Sequence, residues 1–293
     1  MTGPGVDGPG VDGPGVDGPG VDGSNADQHA QWAGDLGLLW AARAAQFEAA
    51  AAGYDAPLLE AAALAPGLHV LDVGCGTGSV TRKVAAAVSP GGTATGVDIS
   101  TPMLAVARDR SAGLPGVGFV EADAQVHDFG GGYDRVVSRT GVMFFGDPPA
   151  AFTNLARALR PGGRLAFVVW RALAENAWMH GLMRALTGHT PAEPPPGPGA
   201  FALADPDRSR SLLEGAGLLE VDVAPCAAPV VLGRDVEEAF GLVRRMLSGT
   251  LDGLDTAERE RAIAALRAFL TQGAGPDGVA LGSAAWLLTA RSP

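Results

Sequence analysis

The sequence predicts an α/β fold: a mostly parallel sheet of seven strands, helices on both faces and an inserted helical lid. Three observations lead there. Between residues 69 and 170, short apolar runs alternate with helix-length stretches. Continuous apolar strands suit a sheet covered on both faces, and their alternation with helices implies parallel pairing. A glycine-rich turn, Gly74-Cys75-Gly76-Thr77-Gly78, stands where the first strand gives way to a helix. The 293 residues are 47% hydrophobic and 18% charged, so a sizeable core can form.

The chain opens on a repeat, with Gly-Pro-Gly-Val-Asp at 3–7, 8–12, 13–17 and 18–22. A period of five is not the glycine-every-third pattern of collagen. Pro-Gly pairs favour turns and no hydrophobic face exists to bury, so residues 1–24 are expected to be a disordered, weakly acidic tail without a catalytic role. Residues 25–293 are expected to form the folded domain. Residues 28–50 read as a helix with Trp32, Leu36, Leu39, Trp40, Ala44 and Phe47 on one face. A second helix, about 56–65, stops at Pro66-Gly67.

Strands are then expected at 69–73, 93–98, 117–121, 133–138 and 164–170. The helix over 78–88 ends at Pro90-Gly91-Gly92. Ser100 or Thr101 caps the next, with Pro102 in its first turn. Asp147-Pro148 opens a helix that Pro161-Gly162-Gly163 closes. After residue 170 the rhythm breaks. A helix over 171–187, a Pro-rich loop over 188–200 and a helix over 205–217 precede a strand at 219–224. Helices over 235–248 and 255–270 follow, the second opening with Asp255 and Glu258 in capping-box spacing, and a strand over 284–290 ends the chain. Helices inserted between sheet strands cover pockets, so the lid is placed at about 171–210 and 233–275.

A net charge of −11 argues against general nucleic-acid binding and suits a cationic ligand. No apolar run is long enough to span a bilayer; the Ala-rich stretch 39–52 is interrupted by Arg43, Gln46 and Glu48. The N-terminus lacks a charged region followed by an apolar block, so no secretory signal is expected. Cys75 and Cys226 supply neither a disulfide framework nor a four-ligand zinc site, and no other cluster has ligand spacing. A reduced cytoplasmic chain without metal is the expectation.

The glycine turn lets backbone approach a ligand closely. Asp72, two residues before Gly74, sets the ligand's charge: a carboxylate there repels a pyrophosphate and attracts an ammonium or another cation. The dinucleotide fingerprint needs a glycine at position 79, which is Ser79, and no Gly-Lys-Ser/Thr ending is present. Asp98 ends the second strand, 20 residues after Gly78, where a carboxylate can accept from both hydroxyls of a ribose. Asp123, after the third strand, can accept from an adenine amino group while the Ala124 N–H donates to a ring nitrogen. Each acid alone could cap a helix or sit in water. Three at successive strand ends point jointly to a ligand.

Together these stretches resemble the class I S-adenosylmethionine-dependent methyltransferases, and within them bacterial small-molecule enzymes related to ubiquinone/menaquinone biosynthesis. The first motif is Val70-Leu71-Asp72-Val73-Gly74-Cys75-Gly76-Thr77-Gly78. The second is Gly96-Val97-Asp98-Ile99-Ser100 with Met103-Leu104. Ala122-Asp123-Ala124 with Phe129 and Tyr133-Asp134 is similar to the third region, and Leu159-Arg160-Pro161-Gly162-Gly163 to the turn before the fifth strand. The likeness is firm over 68–170 and looser over 25–293. Where those relatives often carry Ala-Glu-x-Leu-Pro-Phe, this chain has Ala124-Gln125-Val126-His127-Asp128-Phe129.

The resemblance implies a Rossmann-like sheet and methyl transfer from S-adenosylmethionine to an O, N or C atom of a small molecule. It implies that Asp72 and the turn, with Gly74, Cys75, Gly76 and Gly78, face the methionine moiety. Asp98 would face the ribose and Asp123-Ala124 the adenine. Ile99 and Met103 would line the adenine slot, and Arg139 would lie near the cofactor carboxylate or the acceptor. Met143 and Phe145 would floor the acceptor pocket or pack the core. Trp178 and His180 would reach it from the lid. Displacement at a sulfonium needs a base only if the acceptor must lose a proton. His29, His127 and His180 are the candidates, with His180 preferred because it follows Trp178. An NAD-dependent oxidoreductase and a non-catalytic S-adenosylmethionine-binding protein are the alternatives. Oligomeric state is not legible.

Overall fold

The computed structural model describes residues 20–293. Residues 1–19, and with them most of the repeat, lie outside the described residues. The N-terminal segment contains α1 (Ala26–Ala33), α2 (Asp35–Ala42), α3 (Ala44–Ala50) and α4 (Asp55–Ala61). The single helix expected over 28–50 is therefore broken twice. Gly34 leaves helical geometry at φ −94°, ψ −142°. The chain then turns back so tightly that a Cβ on Gly37 would lie 1.8 Å from the Trp32 carbonyl oxygen. Helical periodicity is blind to such a break, because both halves keep their apolar spacing.

The sheet is built from β1 (His69–Val73), β2 (Thr93–Asp98), β3 (Val117–Glu121), β4 (Tyr133–Arg139), β5 (Leu159–Trp170), β6 (Leu219–Gly233), a two-residue β7 (Ala274–Gly275) and β8 (Gly278–Arg291). Their order is β3-β2-β1-β4-β5-β8-β6, and β7 pairs only with β8. The first five strands are parallel; β8 runs antiparallel between β5 and β6. Seven strands thus form the sheet as expected, and β7 is a short addition. Covering the sheet are α5 (Ser79–Val88), α6 (Thr101–Arg110), α7 (Pro148–Ala158), α8 (Ala177–Thr187), α9 (Pro206–Gly215), α10 (Val236–Met246), α11 (Ser248–Asp252) and α12 (Thr256–Gln272). The capping box at Asp255 and Glu258 is formed.

Strand order reverses between β1 and β4, so a crevice opens outside their carboxyl ends. β6 runs nine residues past its expected end and passes through Pro225 and Pro229. Proline is tolerated there because β6 is an edge strand with one paired side. The extra length pairs with β8 beyond the last β5 partner, Trp170↔Ala285. It makes a two-stranded arm past the carboxyl edge of the sheet, above the crevice. Among the described residues no helix is long and apolar enough to cross a membrane, and no group of three or more His, Cys, Asp or Glu could hold a metal ion.

Candidate active site

The turn after β1 uses its glycines for reach. Gly74, Gly76 and Gly78 have φ of +64°, +55° and +77°, a region other residues enter at a cost. A Cβ on Gly74 would lie 2.8 Å from the Gly141 Cα, and one on Gly78 2.8 Å from the Phe119 ring. The Gly74 and Cys75 N–H groups donate to the Val97 carbonyl at 2.9 and 3.1 Å. The turn is thereby laced to the end of β2, where Asp98 stands.

Asp98 is 8% exposed and Asp72 1%. The Gly76 N–H donates to Asp98 Oδ2 at 2.7 Å and the Ser100 N–H to Oδ1 at 2.9 Å. Thr81 Oγ1 donates to Asp72 Oδ2 at 2.6 Å. Burial pushes the Asp72 carboxyl up to about 7, with the Thr81 hydrogen bond and the Arg139 charge opposing it. Burial likewise raises Asp98 to about 6 against its backbone hydrogen bonds. Two buried carboxylates, the Asp98 charge adding to the rise at Asp72, favour a ligand that brings positive charge and hydroxyl donors.

Both acids open onto a cavity of ≈ 360 Å³. Of the residues singled out from the sequence, Asp72, Gly74, Cys75, Gly76, Asp98, Ile99, Met103, Asp123, Ala124, Arg139, Met143, Phe145 and Trp178 all line it. Gly78 does not; it begins α5 in a left-handed conformation against Phe119. His180 also stays out. Two residues along a helix is roughly 200° around it, so when Trp178 on α8 faces the cavity, His180 faces away. His29 and His127 are likewise absent from the lining.

Sequence reading missed the N-terminal cover. Trp32, Leu36, Trp40, Phe47 and Glu48 roof the cavity. Trp40 and Phe47 stack at 3.8 Å, and Trp32 meets Trp40 and Phe144 edge-on at 5.7 and 5.1 Å. Ser100 Oγ does not cap α6; it donates to the Trp32 carbonyl at 2.6 Å and fixes the roof to the strand end. Glu48 accepts from Thr77 Oγ1 at 2.6 Å and pairs with Arg82 and Arg110. The shared aromatic face was visible in the sequence, but what it faced was not.

The far end of the repeat reaches the cavity. The Asp22 N–H donates to Asp123 Oδ2 at 3.1 Å, and Asn25 Nδ2 to Oδ1 at 3.0 Å. Gln125 Nε2 reaches back to Asp22 Oδ1 and Ser24 Oγ at 3.1 and 2.8 Å. This strap passes so close to Gly146 that a Cβ there would lie 1.9 Å from the Ser24 carbonyl oxygen. Asp123, 1% exposed, is thus positioned by the N-terminus. Across the cavity, Asp55 bridges Arg139 and Lys83.

Known proteins resemble this chain in sequence and in fold. A family model described as a methyltransferase domain matches residues 70–163. A trans-aconitate 2-methyltransferase from Deinococcus radiodurans is 32% identical over 208 residues, covering 66% of this chain and 75% of that protein. A ubiquinone/menaquinone biosynthesis C-methyltransferase from Ectopseudomonas mendocina is 40% identical over 111 residues, 36% of this chain and 43% of that one. The chain spans less than half the length of several curated relatives it matches. Among solved structures, phosphoethanolamine N-methyltransferase 2 from Haemonchus contortus, in complex with S-adenosyl-L-methionine, shares the fold. Its TM-score is 0.53 at 18% identity, over 94% of this chain and 61% of that one.

Proposed function

This chain belongs to the class I S-adenosylmethionine-dependent methyltransferases, and from that membership we propose that it moves a methyl group from S-adenosylmethionine to an O, N or C atom of a small-molecule acceptor. The observation that carries this is the convergence of Asp72, Asp98 and Asp123 on one cavity beside a turn whose backbone lies open to it. The residues fit the cofactor. Gly76 lines the cavity beside Met103, with only the Met103 sulfur, at 3.8 Å, near an added Cβ. A carboxylate has about four acceptor positions, so Asp98 keeps capacity for a diol beyond its two backbone donors.

When bound, the cofactor supplies an electrophilic methyl group on a sulfonium. The chain's own residues position it. Asp72 takes the ammonium end and Arg139 the carboxylate, with Asp55 holding the guanidinium in place. Asp98 accepts from the ribose, Asp123 and Ala124 read the adenine, and Ile99 and Met103 pack against it. The inserted helices and the N-terminal helices close over the cavity and keep water from the sulfonium. Residues 25–293 act as one methyltransferase domain, with the cofactor held by 68–170. A cytoplasmic setting suits two free cysteines, and a small molecule suits a net charge of −11 better than nucleic acid does.

Calorimetric titration with S-adenosylhomocysteine, with NADH in parallel, tests this. S-adenosylhomocysteine is expected to bind and NADH is not, because a buried carboxylate at Asp72 opposes a pyrophosphate. Binding of NADH alone, or of neither, would end the assignment.

The raised carboxyls give a second prediction with opposed signs. Ligand binding needs Asp72 and Asp98 ionised, so affinity for S-adenosylhomocysteine falls as pH drops through about 7 and about 6. Stability of the unliganded chain moves the other way. Both folded values lie above the ordinary carboxyl value of 3.8, so between about pH 4 and about pH 7 the folded state binds the extra protons and gains stability as pH falls. The Tm of the wild type minus that of Asp72→Asn isolates the Asp72 part. That difference should grow from about pH 8 to about pH 5; a difference that shrinks on acidification contradicts the burial assigned to Asp72.

A further inference from the structure

Asn25 stands immediately before α1, where an asparagine side chain ordinarily caps a helix. It makes no capping hydrogen bond. Its side chain is buried, lines the cavity and is engaged at both ends elsewhere. Nδ2 donates to Asp123 Oδ1 at 3.0 Å, and Oδ1 accepts from the Gly146 N–H at 3.1 Å. The two partners fix the orientation of the amide. Turned over, its NH₂ would face the Gly146 N–H and its oxygen would face the carboxylate.

Asp123 is held by three donors. Besides Asn25, the Gln125 N–H donates to Oδ1 at 2.9 Å and the Asp22 N–H to Oδ2 at 3.1 Å. A carboxylate has about four acceptor positions and no donor. Three are filled, and the one left among the described residues is on Oδ2. Gln125 anchors the strap that delivers Asn25. Its Nε2 donates to Asp22 Oδ1 and Ser24 Oγ, and its Oε1 accepts from the Asp147 N–H at 2.8 Å. The Ser24 hydroxyl and N–H also donate to Asp22 Oδ1 and hold that carboxyl below its usual range. An amide at position 125 is therefore matched to the charge at position 22.

We propose that Asn25 is a positioning residue: it fixes Asp123 with one acceptor position to spare, so that the site takes a 6-aminopurine and rejects a 6-oxopurine. This rests on the methyl-transfer reading above, in which Asp123 faces the adenine. A 6-amino group donates to the remaining position. A 6-oxo group brings an acceptor to an acceptor, and both oxygens lose water with no proton between them. The 6-oxo ring also carries an N–H on the neighbouring ring nitrogen, which a carboxylate free to swing would accept. Asn25 keeps Asp123 from following it. Rejection of the 6-oxo ring thus depends on the residue that holds the acid, and not on the acid alone.

The test is calorimetric titration of the full chain with S-adenosylhomocysteine and with its 6-oxo counterpart, S-inosylhomocysteine. The wild type is expected to prefer the 6-amino ligand about 100-fold. Asn25→Ala removes no helix cap. It should weaken S-adenosylhomocysteine about tenfold and S-inosylhomocysteine less than about twofold, so the preference shrinks to roughly tenfold. Gln125→Glu leaves the Asn25 and backbone donors on Asp123 in place and sets a second carboxylate against Asp22. It should shrink the preference by a smaller factor, and it decides the matter if Asn25→Ala does not fold. A preference that the variant leaves unchanged, whatever its overall affinity, makes the role of Asn25 merely structural and overturns the proposal. So does a wild type that binds both ligands alike. Failure of the wild type to bind S-adenosylhomocysteine overturns the methyl-transfer reading instead.

Discussion

Asp98→Ala is expected to weaken S-adenosylhomocysteine binding at least about 100-fold, because the ribose diol loses two hydrogen bonds to a charged acceptor worth ~1.5–3 kcal/mol each. The same carboxylate anchors the Gly76 and Ser100 N–H groups. Its removal therefore also loosens the turn that lines the cavity. Stability responds less. Freeing two N–H donors is unfavourable, yet the variant also removes a buried carboxylate whose burial raises it to about 6, and the two effects oppose each other. A large loss of affinity with a small fall in Tm is the expected pattern. Asp98→Asn does not rescue. Its amide oxygen can accept from only one of the two backbone donors, and its NH₂ then faces the other. Affinity within tenfold of wild type in either variant removes Asp98 from the ribose site.

The residues that the sequence assigns to the cofactor line one cavity, and they could be picked out because they are local in the chain. A strand, a turn with three glycines and an acid at the next strand end lie within 30 residues, from His69 to Asp98. The rule that ligands sit at carboxyl ends of parallel strands joins them without coordinates. The covers were not legible, because their contacts are tertiary. Glu48 touches Thr77 across 29 residues and Asn25 touches Asp123 across 98; no spacing rule links such pairs. His180 failed for a different reason: nearness to Trp178 along a helix is not shared orientation. β6 runs on through Pro225 and Pro229, which an edge strand can carry, and the expected strand stopped at residue 224. Asp22 looked like the last member of a featureless repeat, and its backbone meets Asp123.

Gly74→Ala should be among the most damaging single-methyl additions in the chain, and it separates two ways a glycine can matter. At φ +64° alanine is strained by roughly 1–2 kcal/mol. Its Cβ would also stand 2.8 Å from the Gly141 Cα. That neighbour is backbone and cannot rotate aside. Nor can the two segments separate easily, since β1 and β4 are paired up to Asp72↔Val137 immediately before the contact. The strain must therefore pass into the glycine turn that lines the cavity. A Tm lower by about 5–10 °C and S-adenosylhomocysteine affinity lower by about 100-fold are expected. Gly67→Ala is the control: its φ is +85°, with nothing within 4 Å of an added Cβ. It carries the φ strain without the collision, far from the cavity, so it should lower Tm while affinity stays at the wild-type value. If Gly74→Ala binds S-adenosylhomocysteine as well as Gly67→Ala does, the close approach of the two backbones is not what shapes the site.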